Sequence, residues 1–171
     1  MALVSSSQVV TDQNATPRVK VNKVEKNGNV YTAQGYVAAA SYTGGTVGQW
    51  YTFVRVPLRA RIIGVKLSQA TTTTGAVDIG LYRKDSGAVI DADFFKTVHV
   101  LGATTNIRVD VTSLTVYTAA LRQSSLRDAA AAALTTALAT NDVEVDIAAT
   151  IVTVIGTPTD ALLEVDYVLP E

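Results

Sequence analysis

The segment spanning residues 75–95, GAVDIGLYRKDSGAVIDADFF, constrains the fold of this chain more than any other stretch. In its first half, apolar residues alternate with polar or small ones, at Val77, Ile79 and Leu81. That period is typical of a strand with one buried face. Residues 84–87 then supply a turn, because Asp bonds its own backbone and Gly tolerates a positive φ. The segment therefore predicts a β-hairpin at the centre of a β-sandwich, with Phe94 and Phe95 in the core.

Other segments alternate in the same way and predict further strands, at residues 61–67, 107–111, 143–147 and 161–169. Residues 117–140 break the pattern. There, Ser125 and Asp128 resemble a capping box with Asp in place of Glu, and apolar residues recur at helical spacing. We expect one helix near residues 125–139. The predicted fold class is mainly β: an antiparallel, jelly-roll-like β-sandwich with one helix and an extended N-terminal arm.

The chain has 171 residues, enough for one domain with a sizeable core. Its first part is polar with scattered valines and carries too little apolar surface to fold alone. We assign residues 1–48 to an extended arm with an aromatic and glycine-rich segment, and residues 49–171 to the sandwich domain. The arm is interpreted either as a frayed terminus or as a segment that orders on a neighbouring surface.

The formal net charge is −1, which gives no electrostatic case for binding nucleic acid. The charge is unevenly distributed, however. Residues 1–70 hold eight bases and two acids, a net of +6, whereas residues 141–171 hold seven acids and no base, a net of −7. This asymmetry fits either solvated faces or head-to-tail contacts between copies. No signal peptide or membrane span is indicated, so we expect a cytoplasmic origin and no membrane partner.

The residue types needed for chemistry are scarce. The chain has no cysteine and one histidine, which excludes a disulfide scaffold, thiolate metal sites and a cysteine nucleophile. His99 lies in an apolar run and is interpreted as a strand residue. Asp85, Asp91 and Asp93 lack the spacing of a calcium loop, so solvated turn carboxylates are the simpler interpretation. Phosphate-binding glycine motifs and a nucleophile elbow are also missing. We expect no enzyme activity, no cofactor and no metal site.

Four short motifs occur in a familiar order: VPLRARI at residues 56–62, DIGLY at 78–82, VIDADFF at 89–95 and VDYV at 165–168. Together they resemble the head decoration proteins of tailed bacteriophages, also called cement or auxiliary capsid proteins. The resemblance covers roughly residues 50–115 and 141–169. The arm and residues 117–140 do not match the pattern of these proteins.

This resemblance implies a structural virion protein on the capsid exterior that is made in the host cytoplasm. Such a protein would act as a homotrimer that binds the major capsid protein at local threefold positions and stabilises the head by bridging capsid subunits. Repeated modest contacts on a lattice would supply the avidity. The residues expected to contact a partner are the bases of the arm and the tyrosines near it: Arg18, Lys20, Lys23, Lys26, Tyr31, Tyr36 and Tyr42.

Two other functions fit the same sequence. One is a carbohydrate- or receptor-binding β-sandwich, for which Trp50, Tyr51 and Tyr82 are the candidate aromatics. Strand alternation places Trp50 and Tyr51 on opposite faces, which weighs against a shared platform. The other is a different head or tail component, which copy number per virion would distinguish.

Overall fold

The structure is a computed structural model that describes residues 29–39, 46–70, 73–84, 86–102, 109–112, 117–118, 121, 124–133, 143–157 and 159–169. Eight strands lie within these ranges: β1 (Val30–Val37), β2 (Trp50–Pro57), β3 (Arg61–Gln69), β4 (Ala76–Arg83), β5 (Val89–Val100), β6 (Val109–Asp110), β7 (Glu144–Thr153) and β8 (Ala161–Val168). A helix, α1 (Leu126–Ala133), lies between β6 and β7.

The strands form two antiparallel four-stranded sheets, in the orders β1-β8-β3-β6 and β2-β7-β4-β5. The first strand pairs with the last, the second with the seventh, the third with the sixth and the fourth with the fifth. Such nested pairs arise when one long antiparallel ribbon of two chain halves folds over on itself. Pairing of β3 with β8 and of β4 with β7 then completes the two sheets. The fold is a jelly roll, which confirms the predicted class.

Helix α1 begins where the capping pattern predicts. The Ser125 hydroxyl oxygen accepts the backbone N–H of Asp128 at 3.2 Å and donates to its carboxylate at 2.7 Å. The backbone N–H of Leu126 donates to the carbonyl of Ala60, so the first turn is tied to the connection between β2 and β3. The Leu126 side chain is fully buried in the core. Residues 134–139 of the predicted helix lie outside the described residues.

The predicted hairpin is formed by β4 and β5. In its turn the N–H of Arg83 donates to the carbonyl of Ala88, and Gly87 has the expected positive φ of 64°. The prediction that the hairpin lies at the centre of the sandwich is wrong for its second strand, β5. Strand β4 lies inside its sheet, but β5 forms the sheet edge. The reason is that β7, from much later in the chain, pairs with the other side of β4.

A large bulge interrupts the hairpin. Residues 92–95 of β5 lie opposite Gly80 alone, because Leu81 pairs with Asp91 and Ile79 with Lys96. The backbone of β5 passes so close over Gly80 that a Cβ there would stand 2.1 Å from the carbonyl oxygen of Asp91. The extra residues allow two adjacent side chains to point into the core, which regular strand alternation forbids.

Those two side chains are Phe94 and Phe95, both buried as predicted. Their rings meet edge to face at 5.0 Å, and each also contacts the buried ring of Tyr117, at 5.5 and 5.2 Å. The Tyr117 hydroxyl donates to the carbonyl of Ile62 at 3.3 Å. The cluster therefore joins the edge of one sheet to β3 of the other, with the buried phenol hydrogen-bonded.

Candidate partner-binding surface

Strand β1 forms one edge of its sheet and pairs along its whole length with β8. None of its eight residues, VYTAQGYV, is charged, and Gly35 is the single glycine among them. Lysine, proline and short length are the usual protections of an edge strand, and β1 has none of them. Tyr31 is 44% exposed and Tyr36 61% exposed. An edge with large amphipathic rings is a candidate surface for another chain.

The structure describes two of the seven predicted contact residues, Tyr31 and Tyr36. The other five, Arg18, Lys20, Lys23, Lys26 and Tyr42, lie outside the described residues. Strand β1 itself comes from the span predicted to be an arm, and the boundary between residues 48 and 49 stays a prediction.

Tyr31 and Tyr36 are not brought together. They stand five positions apart in one strand, so alternation places them on opposite faces. Tyr31 stacks on Tyr167 of β8, with the ring centroids 5.7 Å apart and the planes at 24°. Tyr36 lies at the other end of β1, beside Leu162. The two tyrosines therefore offer two separate contact points.

Tyr36 borders a groove of about 300 Å³ at the end of its sheet. The groove is lined by Tyr36, Ser68, Gln69, Ala70, Asp160, Ala161 and Leu162. A hydrogen bond between the Tyr36 phenol and the Asp160 carboxylate raises the pKa of Tyr36. The backbone N–H of Ala39, at 2.8 Å, and then the phenol lower the pKa of Asp160. A fixed carboxylate beside apolar walls suits a lysine or arginine side chain, whose stem packs while its charge pairs.

Part of the uneven charge of the chain is matched between neighbouring strands in the described part of the molecule. Arg55 of β2 binds Asp146 of the neighbouring β7 through two contacts, at 2.7 and 3.1 Å. Lys66 of β3 lies 2.6 Å from Asp166 and 3.6 Å from Glu164, both on the neighbouring β8. The jelly roll pairs early basic strands with late acidic ones. These pairs therefore neutralise, within one molecule, part of the charge asymmetry that the sequence alone could also assign to contacts between copies.

Lys66 also shows what a partner would meet on the outer face of this sheet. The hydrogen bond to Asp166 raises the pKa of Lys66, so the amine stays charged. Thr32 donates to Asp166 at 2.7 Å, and Gln34 donates to Glu164 at 2.8 Å. Both donors lie on β1, so the outer face is a connected polar network that reaches the exposed edge strand.

Two of the three aromatics named for a carbohydrate-binding module form a stacked pair on the outer face of the second sheet. Trp50 of β2 stacks on Tyr82 of β4 at 4.9 Å and 20°, although β7 separates the two strands. Trp50 is 41% exposed and Tyr82 is buried beneath it. Tyr51 instead points between the sheets, as strand alternation predicted. Only the pairing order of the strands, which is non-local, brings the two rings together.

The described residues contain no group of three or more metal-ligating side chains. Burial, and then the charge of Lys96, lower the pKa of His99, which lies in β5 as expected. Asp91 immediately precedes the bulge and Asp93 lies in it, and the Asp91 carboxylate accepts the N–H of Asp93 at 3.3 Å. Asp85 lies outside the described residues. Within the described ranges, no helix is long and apolar enough to cross a membrane.

No family model matches the sequence, and neither does any curated protein sequence. Solved structures do match. The chain is similar to one from the "Capsid of Ralstonia phage GP4", with a TM-score of 0.58 and 12% identity, over 89% of this chain and 92% of that one. At this identity the likeness concerns the fold alone. It shows the same arrangement of strands over nearly the whole of both chains.

Two further phage capsid structures also match. The chain is 18% identical to one from the "Cyanophage Pam1 capsid asymmetric unit", covering 84% of this chain and 86% of that one, with a TM-score of 0.38. It is 19% identical to one from the "Acidic stable capsid structure of Helicobacter pylori bacteriophage KHP30", covering 83% and 89%, with a TM-score of 0.37. TM-scores this low do not establish a common fold, so these two likenesses carry no argument about the fold.

Proposed function

We propose that this protein is a structural component of a phage virion. It binds the outer surface of an icosahedral capsid and stabilises the head by bridging subunits of the major capsid protein. The observation that carries the proposal is the jelly roll, which matches a chain of the Ralstonia phage GP4 capsid over about nine-tenths of both chains. The decoration-protein motifs in β2 to β5 and in β8 support the same assignment.

The proposed contact surface is the β1 edge with the groove beside it. Tyr36 and Asp160 would receive a basic side chain of a capsid subunit, and Tyr31 would give a second contact. The bases Arg18, Lys20, Lys23 and Lys26, with Tyr42, would extend this surface on the capsid or on a neighbouring copy in a trimer. Each contact is modest, and repetition over the lattice supplies the avidity. No enzymatic step belongs to this function.

The test is the location and copy number of the protein in virions. Cryo-electron microscopy and quantitative mass spectrometry of virions should show many copies on the capsid exterior, in threefold clusters. Heads stripped of the protein should rebind it saturably and resist heat better when they carry it. If stripped heads do not rebind the protein and survive heating equally well, the proposal fails. A copy number of one ring per virion would instead indicate a connector or tail component.

One observation favours an alternative, a carbohydrate- or receptor-binding module. The exposed face of Trp50 is backed by the buried ring of Tyr82, which would hold the indole as a flat stacking surface. Sugar-binding surfaces of this kind need polar partners near the ring, and Thr52 lies on the same face of β2. Glycan-array binding that is lost in Trp50→Ala would establish this function, whereas capsid decoration predicts that the substitution leaves head binding unchanged.

A further inference from the structure

A cavity of about 20 Å³ lies between the two sheets. It is at the end of the sandwich where the β3–β4 and β7–β8 connections meet. Apolar side chains of both sheets form most of its wall: Phe53, Leu67, Val77, Ala149 and Ala161. Three polar side chains also line it: Gln69, Thr73 and Thr159, which are 8%, 4% and 5% exposed. A cavity of this size with a wholly apolar wall would be dry, so these three polar residues determine whether it can hold water.

Gln69 is the decisive residue. It stands at the last position of β3, on the face that also carries the core residues Val65 and Leu67. Its backbone pairs with Ala161. Its side-chain amide, however, makes no hydrogen bond with any residue in the described part of the chain. An amide offers two donors and an acceptor, and burying them without partners is costly.

We propose that the cavity is a binding site for one water molecule that hydrogen-bonds the amide of Gln69. The volume fits, since a site needs about 10–15 Å³ to hold a water. A buried water also needs two to four polar partners. The Thr73 hydroxyl donates to the carbonyl of Thr157, which leaves its oxygen able to accept a hydrogen bond from the water.

The bound water has a structural role. Gln69 is the last residue of β3, Thr73 lies in the connection to β4, and Thr159 lies just before β8. A water that bridges these groups ties two connecting segments to the end of a central strand. It completes the hydrogen bonding of the sandwich at this end, in the way that conserved buried waters do elsewhere.

The test is a crystal structure of the full chain at a resolution that shows ordered waters, together with NMR detection of long-lived water. Wild-type protein should show one water within hydrogen-bond distance of the Gln69 amide, and a water cross-relaxation signal at its side-chain amide protons. The amide of Gln34, bonded to Glu164 on the outer face, is the control and should show no long-lived water. In Gln69→Leu the cavity water should be lost.

A wild-type structure in which the cavity is dry, or in which the Gln69 side chain turns out to the surface groove, would overturn the proposal. So would a water signal at Gln69 that exchanges as fast as the one at Gln34. These outcomes do not depend on the variant, so the proposal remains testable if Gln69→Leu does not fold.

Discussion

The carbonyl oxygen of Phe53 occupies the space where a side chain at Gly35 would begin: a Cβ built on Gly35 would lie 1.8 Å from that oxygen. Gly35 belongs to the edge strand β1, and Phe53 stands at a register shift in β2 of the other sheet. The two sheets therefore approach backbone to backbone at this corner of the sandwich. Glycine is the residue that permits such an approach.

Substitution of Gly35 by alanine should strongly destabilise the protein. The added methyl meets backbone atoms that cannot rotate away, and overpacking of this kind costs about 1–3 kcal/mol or more. Gly64→Ala is the matched control, because it also lies in a strand and a Cβ there meets no atom within 4 Å. That change should be neutral or stabilise by ~0.4–1 kcal/mol. Urea denaturation of both variants measures the difference, and equal stabilities would contradict this account of the corner.

The aromatic cluster should be the most sensitive part of the core. Phe95 is fully buried between Phe94 and Tyr117, so Phe95→Ala removes a large side chain and leaves a cavity. We expect a loss of about 3–5 kcal/mol in the free energy of unfolding. Val100→Ala, at an exposed position of the same strand, should change stability by no more than ~0.5 kcal/mol. A small effect at Phe95 would mean that the bulge does not direct both rings inward.

Local patterns account for most of what could be predicted from the sequence. The alternation around Ile79, the turn before Gly87 and the cap at Ser125 each depend on neighbouring residues only, and each is found in the structure. The fold class follows from the number of such strands. The bulge that buries Phe94 and Phe95 together has no local signal, because a regular strand would have placed one ring outside.

Strand order and the site depend on contacts far apart in the chain. The pairing of Trp50 with Tyr82 requires that β7 lie between their strands, and the matching of Arg55 with Asp146 requires the nested jelly-roll order. No local pattern encodes either relationship. The candidate surface is therefore only partly predictable: the sequence predicts Tyr36 as a partner contact, whereas its hydrogen bond with Asp160 needs β1 and β8 to be neighbours.

The N-terminal cap of helix α1 should make a measurable contribution to stability. Ser125 satisfies the backbone N–H of Asp128, which otherwise has no partner in the first turn of the helix. Ser125→Ala should cost about 0.5–2 kcal/mol, whereas Ser125→Gly should cost only a few tenths of that unit. Thermal unfolding of the two variants distinguishes a lost cap from a general intolerance of substitution at this position. Equal losses would argue against capping as the cause.

Asp91 should make the fold more stable at acidic pH. Burial, and then the neighbouring Asp93, raise its pKa from 3.8 to about 6. The folded protein thus holds this proton more tightly than the unfolded chain does. The ionised carboxylate weakens the fold above about pH 6, and that penalty disappears as the pH falls towards about 4. Asp91→Asn, which keeps an acceptor for the Asp93 N–H, should be more stable than wild type near neutral pH and equally stable in acid.

The control for this pH dependence has the opposite sign. Hydrogen bonds from Ala39 and Tyr36 lower the pKa of Asp160, so its ionised form stabilises the fold near neutral pH and that contribution is lost in acid. Asp160→Asn should therefore be less stable than wild type near neutral pH. Denaturation midpoints across the acid range, taken as differences from wild type, separate the two groups. Parallel curves for wild type and Asp91→Asn would contradict the assignment.

Tyr36 should contribute to capsid binding without supporting the fold. Its ring is mostly exposed, and its hydrogen bond to the half-buried Asp160 is secondary to the one from the Ala39 N–H, so Tyr36→Ala should unfold at nearly the wild-type temperature. If the ring is an interface anchor, its loss should weaken binding to stripped heads by about tenfold or more, which corresponds to ~1.4 kcal/mol. Val100→Ala, on the opposite edge strand, is the control and should bind like wild type. A folded Tyr36→Ala variant that saturates heads at wild-type concentrations would exclude the β1 edge as the capsid-binding surface, because the ring is the largest exposed apolar group beside the groove.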